Sequence, residues 1–137
     1  MELELKRGGR TARVETLGGE LVSYRDERGL EYIWGGDPAY WPGRNPLLFP
    51  IVGMLKEGKI RFDGREYAME RHGFARRRKF TPAARGEDWV RLELRESAET
   101  LALYPYPFRL AVEQRLTDTG FSTAVTVANP GEGPLPF

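Results

Sequence analysis

The chain has no cysteine in 137 residues, so it forms no disulfide and offers no thiolate to a metal. It has a single histidine, His72, and without cysteine a zinc site would lack ligands. No metal and no cofactor is therefore expected. It has no excess of charge of one sign: 21 basic and 20 acidic residues leave a net +1. That balance argues against a dedicated nucleic-acid binder, which is usually strongly basic. It lacks any apolar run of about 18 residues, and Met1-Glu2-Leu3-Glu4-Leu5-Lys6 is too polar for a signal peptide. The sequence reads as a soluble cytoplasmic protein with no membrane partner. It also has little helical periodicity. What remains is a globular composition, 40% hydrophobic and 30% charged, in a chain of one domain's length. A chain of this size can bury about two-thirds of its unfolded surface.

Short alternating segments dominate. Glu2 to Lys6, Thr11 to Leu17, Glu20 to Arg25 and Leu30 to Trp34 each alternate or nearly alternate polar and apolar residues, with Gly8-Gly9, Gly18-Gly19 and Asp26 to Gly29 as turns. Lys59 to Phe62 and Arg65 to Met69 form a hairpin around Asp63-Gly64, a pair suited to turn positions with positive φ. Trp89 to Arg95 alternates cleanly. Ser97 can cap a short helix through Leu103, which the prolines after Tyr104 stop. Phe108 to Leu116 and Phe121 to Val127 form a longer hairpin around Asp118-Thr119-Gly120. The total of about nine or ten strands with very little helix predicts an all-β, antiparallel β-sandwich.

Two stretches depart from this pattern. Gly35 to Asn45 is loop-like, with two prolines and the aromatics Tyr40 and Trp41. Trp41 either covers one end of the core or presents a ring face on which a sugar can stack. Arg71 to Lys79 holds six basic residues, His72 counted, beside Phe74 and Phe80. That run is either a solvated loop and strand edge or a nucleic-acid patch.

The organising stretch is Asn45-Pro46-Leu47-Leu48-Phe49-Pro50-Ile51-Val52-Gly53, then Asp63-Gly64-Arg65-Glu66-Tyr67, then His72-Gly73-Phe74-Ala75-Arg76. It resembles the aldose 1-epimerase (galactose mutarotase-like) family, in particular its bacterial galactose mutarotase-related branch. Tyr106-Pro107-Phe108, Asn129 and Pro136-Phe137 add weaker matches. The likeness runs over almost the whole chain, which corresponds to the first half of a family member. It implies part of a mutarotase-like supersandwich, with residues 1–137 forming one such domain that ends before the catalytic half.

The family interconverts the α and β anomers of an aldose such as galactose or glucose. A base takes the proton of the C1 hydroxyl while an acid protonates the ring oxygen. By resemblance, His72 is the family's sugar-binding histidine and Arg76 falls on the same motif. The family's catalytic acid histidine and base glutamate lie further along and have no counterpart here, so no catalytic residue is assigned. Met54 stands where family members carry a sugar-binding arginine, and Arg44 is the residue that can replace it. The expected substrate-binding set is His72, Arg76, Arg44 and Trp41.

Three functions follow as expectations. The chain is an incomplete aldose 1-epimerase, or a non-catalytic sugar-binding or regulatory remnant, or, on the basic run Arg71 to Lys79 alone, a nucleic-acid module. Half a sandwich would leave strand edges uncovered, so self-association or a second chain is expected as partner, besides an aldose.

Overall fold

A computed structural model describes all of residues 1–137. Three antiparallel strands open the chain: β1 (Glu2–Arg7), β2 (Arg10–Glu15) and β3 (Glu20–Arg25). Gly8 and Gly9, both at positive φ, make the two-residue turn that pairs Arg7 with Arg10. Alternation sets the buried face: Leu3, Leu5, Ala12 and Val14 point inward, and Glu2, Glu4, Lys6 and Arg13 point out. A hairpin of β4 (Lys59–Phe62) and β5 (Arg65–Ala68) turns at Asp63-Gly64, whose φ values are +48° and +79°. A four-stranded antiparallel meander follows, in the order β6 (Thr81–Arg85), β7 (Trp89–Arg95), β8 (Arg109–Leu116) and β9 (Phe121–Ala128). The helix α1 (Ala98–Leu101) links β7 to β8. Its Ser97 cap accepts the Thr100 N–H while the Thr100 hydroxyl oxygen accepts the Ser97 N–H at 2.8 Å.

The fold is all-β, as expected. Leu3, Leu5, Val14 and Leu21 from the first sheet share one core with Val90, Leu92, Leu110, Val112 and Leu116 from the meander. Those apolar faces meet as the two layers of a sandwich. No helix is long and apolar enough to cross a membrane.

Two elements differ from the sequence expectation. Leu30 to Trp34 is not a strand, apart from a single bridge between Arg25 and Glu31. The Glu31 carboxylate explains this: besides the Ser23 hydroxyl (2.5 Å), it accepts the backbone N–H groups of Tyr24 (2.8 Å) and Ile33 (3.1 Å), two donors that a ladder would use. Conversely, β6 is a strand without alternation. All five of its residues are exposed, and Pro82 is tolerated because β6 lies at a sheet edge.

An aromatic cluster at one end of the core holds two loops in place. The Phe49 ring lies 5.2 Å from Phe108, 6.0 Å from Tyr104 and 6.1 Å from Phe74. Phe49, Phe74, Tyr104 and Phe108 are all buried, and burying one phenylalanine side chain contributes about 2–3 kcal/mol. Burial pushes the Tyr104 phenol up to about 12, and its hydroxyl donates to the Pro136 carbonyl at 2.7 Å. The cluster anchors two chain segments side by side: Pro46 to Gly53 and His72 to Ala75.

Candidate functional site

The two anchored segments are joined by backbone bonds. The Phe49 carbonyl accepts the N–H groups of Phe74 (2.9 Å) and Ala75 (3.2 Å). This approach requires glycine at residue 73, since a Cβ there would stand 2.2 Å from the Phe49 carbonyl oxygen. One residue earlier, His72 has φ +67°. Its N–H donates to the Gly53 carbonyl at 2.8 Å, and its Nδ1 accepts the Gly53 N–H at 2.9 Å. A neutral imidazole whose Nδ1 accepts carries its proton on Nε2, so the free edge of the ring is a donor.

His72 lines an open cleft of about 440 Å³ together with Trp41, Pro46, Leu48, Arg71 and Arg76. Trp41 is 48% exposed and does not pack on the main core, so it is a wall of the cleft rather than a lid on the interior. Its loop is organised by Asp37, whose carbonyl accepts the Trp41 N–H at 2.9 Å, and by the Trp34 indole N–H on the Trp41 carbonyl at 2.9 Å. Arg76 donates from Nη2 to the Arg71 carbonyl at 2.8 Å, while its Nε–H is buried with no partner in the chain.

The structure therefore brings together three of the four residues expected from the sequence: His72, Arg76 and Trp41. Arg44 stands outside the cleft. Its Nη2 donates to the Gly35 carbonyl at 3.0 Å, and its N–H, with that of Asn45, is held by the Glu20 carboxylate. Met54 projects into solvent, 76% exposed, and supplies no hydrogen-bond donor. Sequence reasoning missed Arg71, which it had placed only in the basic run; its position next to His72 in a loop was the available signal. That run is not a continuous free patch, because Arg77 pairs with Glu70 at 2.6 Å and Arg78 pairs with Glu99.

A second groove, of about 820 Å³, runs beside α1 between Arg78, Glu93, Arg95 and Glu99. Four of its charges are paired with one another, Arg78 with Glu99 and Arg95 with Glu93 at 3.2 Å, while Lys79, which also lines it, forms no ion pair. It contains none of the four residues expected from the sequence.

The His72 cleft has donors, an aromatic wall and no carboxylate. It can orient a polar ring. Its side chains contain no group to act as general base on a C1 hydroxyl.

The family model for aldose 1-epimerase matches residues 1–137, the whole chain. This chain belongs to the aldose 1-epimerase family. The plasmid-borne protein LacX of Lactococcus lactis subsp. lactis is 38% identical over 134 residues, which are 94% of this chain and 45% of LacX. A galactose mutarotase-like protein from Lactobacillus casei superposes with a TM-score of 0.91 at 32% identity, over 94% of this chain and 44% of that one. A galactose mutarotase related enzyme from Lactobacillus acidophilus also gives 0.91, at 27% identity, over 94% of this chain and 43% of that one. The chain thus spans somewhat less than half the length of these relatives.

Proposed function

We propose that residues 1–137 form one mutarotase-like unit that binds an aldose in the His72 cleft and does not itself carry the pair of groups needed to interconvert its anomers. His72 Nε2–H donates to a sugar oxygen, Trp41 packs against the ring's apolar face, and Arg76 donates to the sugar's polar edge. The observation that carries this reading is the convergence of Trp41, His72 and Arg76 on one cleft, with the imidazole fixed by Gly53. Family membership supports the sugar as ligand. The lack of a carboxylate among the cleft side chains supports binding without exchange.

The test is NMR on the purified chain with galactose and with glucose. Chemical shifts of the Trp41 indole and the His72 ring are expected to move on sugar addition. Saturation transfer between α and β signals is expected to stay at the buffer rate. Exchange above that rate that disappears in His72→Ala would show that the chain builds a working catalytic site and would overturn the binding-only reading. Silence of both side chains towards either sugar would remove the neutral aldose as the ligand of the cleft.

A further inference from the structure

Every polar side chain lining the His72 cleft is a donor. Arg71 and Arg76 present guanidiniums, which have N–H groups and no acceptor. The Trp41 indole offers only an N–H, and His72, with Nδ1 engaged by Gly53, offers Nε2–H. No aspartate, glutamate, asparagine, glutamine, serine, threonine or tyrosine lines it. A neutral aldose presents hydroxyls, each of which donates as well as accepts, so a surface of donors offers the sugar's own hydrogens no side-chain acceptor. Such a surface matches a group that only accepts, a phosphate dianion or a carboxylate.

The charges agree. Arg71 and Arg76 form no ion pair, whereas Arg77 and Arg78 of the same run are paired with Glu70 and Glu99. The Arg71 guanidinium makes no hydrogen bond, and the Arg76 Nε–H is buried and unpartnered, so both keep donor capacity that nothing in the chain uses. Two permanently charged guanidiniums beside an apolar wall of Pro46, Leu48 and Trp41 form an anion site joined to a ring-stacking surface.

We infer that the ligand of this cleft is an anionic sugar, a hexose bearing a phosphate or carboxylate held by Arg71 and Arg76, with its ring against Trp41. This rests on the reading of the cleft as a sugar site and narrows it. The test is calorimetric titration of the chain at low salt with galactose 6-phosphate, galacturonate, galactose and inorganic phosphate. At least one of the two anionic sugars is expected to bind about tenfold or more tightly than galactose, the scale of one hydrogen bond to a charged group. Which of them does so identifies the anion as ester phosphate or carboxylate. Added salt is expected to erode the advantage, and Arg71→Gln to abolish most of it. Because the Arg71 side chain has no bond within the fold, that variant is expected to retain the wild-type circular dichroism spectrum.

Equal affinity for galactose and both anionic sugars would overturn the inference and leave the sugar site standing. Inorganic phosphate binding as tightly as galactose 6-phosphate would show an anion site without sugar recognition and would also overturn it. Absence of binding by all three sugars would remove both the inference and the sugar site beneath it.

Discussion

Gly53 and His72 hold each other by two hydrogen bonds: the His72 N–H on the Gly53 carbonyl at 2.8 Å, and the Gly53 N–H on His72 Nδ1 at 2.9 Å. The imidazole is thus a structural acceptor on one edge and a free donor on the other. The two roles are separable by substitution. Asparagine tolerates the left-handed backbone of residue 72 and can offer Oδ1 near the place of Nδ1. His72→Asn is expected to keep stability close to wild type while losing the reach of Nε2–H, so sugar binding falls. His72→Ala is expected to lose both, with a stability cost above about 1–2 kcal/mol, because the Gly53 N–H is left unpaired and alanine at φ +67° is strained. Urea unfolding and sugar titration of the two variants check this. Equal stability of both variants would show that the Nδ1 bond carries no weight.

Gly73→Ala tests the backbone contact beneath the site. The new Cβ would meet the Phe49 carbonyl oxygen at 2.2 Å, and alanine at φ +68° is strained besides. The clash is with backbone that the aromatic cluster fixes, so it cannot be relieved by a side-chain rotation. A loss of more than about 2 kcal/mol is expected, with loss of sugar-induced shifts at His72. A variant as stable as wild type in urea would mean that the Phe49 and His72 segments are not held this closely in solution.

Much of the fold was legible because its signals are local. Gly8-Gly9 and Asp63-Gly64 announce their turns, Ser97 its cap, and Leu3, Leu5, Val90, Leu92 and Leu94 their buried faces by period alone. Leu30 to Trp34 misled because the Glu31 side chain competes with the backbone for partners, which no periodicity records. β6 was silent because it is exposed on both faces. The placing of His72, Arg76 and Trp41 on one cleft agrees with the family motif and the aromatic loop that singled them out. The places of Arg44 and Arg71 were not legible, since they depend on the path of the Gly35 to Asn45 loop and on which guanidinium already has a partner.

Acid should unfold the chain in a defined window. Burial raises the Glu31 carboxyl, but the Ser23 hydroxyl, the N–H groups of Tyr24 and Ile33 and the Arg25 guanidinium outweigh it and lower the group from 4.5 to about 2. Burial likewise raises Asp26, yet the Leu30 N–H and the Arg28 and Tyr32 donors bring it from 3.8 to about 2. Both groups therefore bind protons less readily in the folded chain than in the unfolded one. Their stabilisation is complete above the unfolded values and is lost as pH falls from about 4 towards 2. The urea midpoint is expected to fall through that window, and to fall less steeply in Glu31→Gln. An identical pH slope in that variant would show that the Glu31 carboxylate does not bind the Arg25 to Ile33 turn as described.

β9 closes one side of the meander and is unprotected. Phe121-Ser122-Thr123-Ala124-Val125-Thr126-Val127-Ala128 carries no charge and no proline, and its outer edge has no partner strand. Two other edges carry such guards: Glu2, Glu4 and Lys6 on β1, Pro82 and Arg85 on β6. An eight-residue uncharged edge is a template for another strand. Nothing in its sequence repels a second copy laid antiparallel across a two-fold axis. The purified chain is therefore expected to self-associate through β9, with a mass by light scattering that rises with concentration. Val125→Lys, at a half-exposed site, would place like charges on both copies and is expected to shift the population to monomer without loss of the core. A wild-type chain that stays monomeric across the micromolar range would overturn the expectation that this edge pairs with a second copy. Association that persists unchanged in Val125→Lys would place the contact elsewhere.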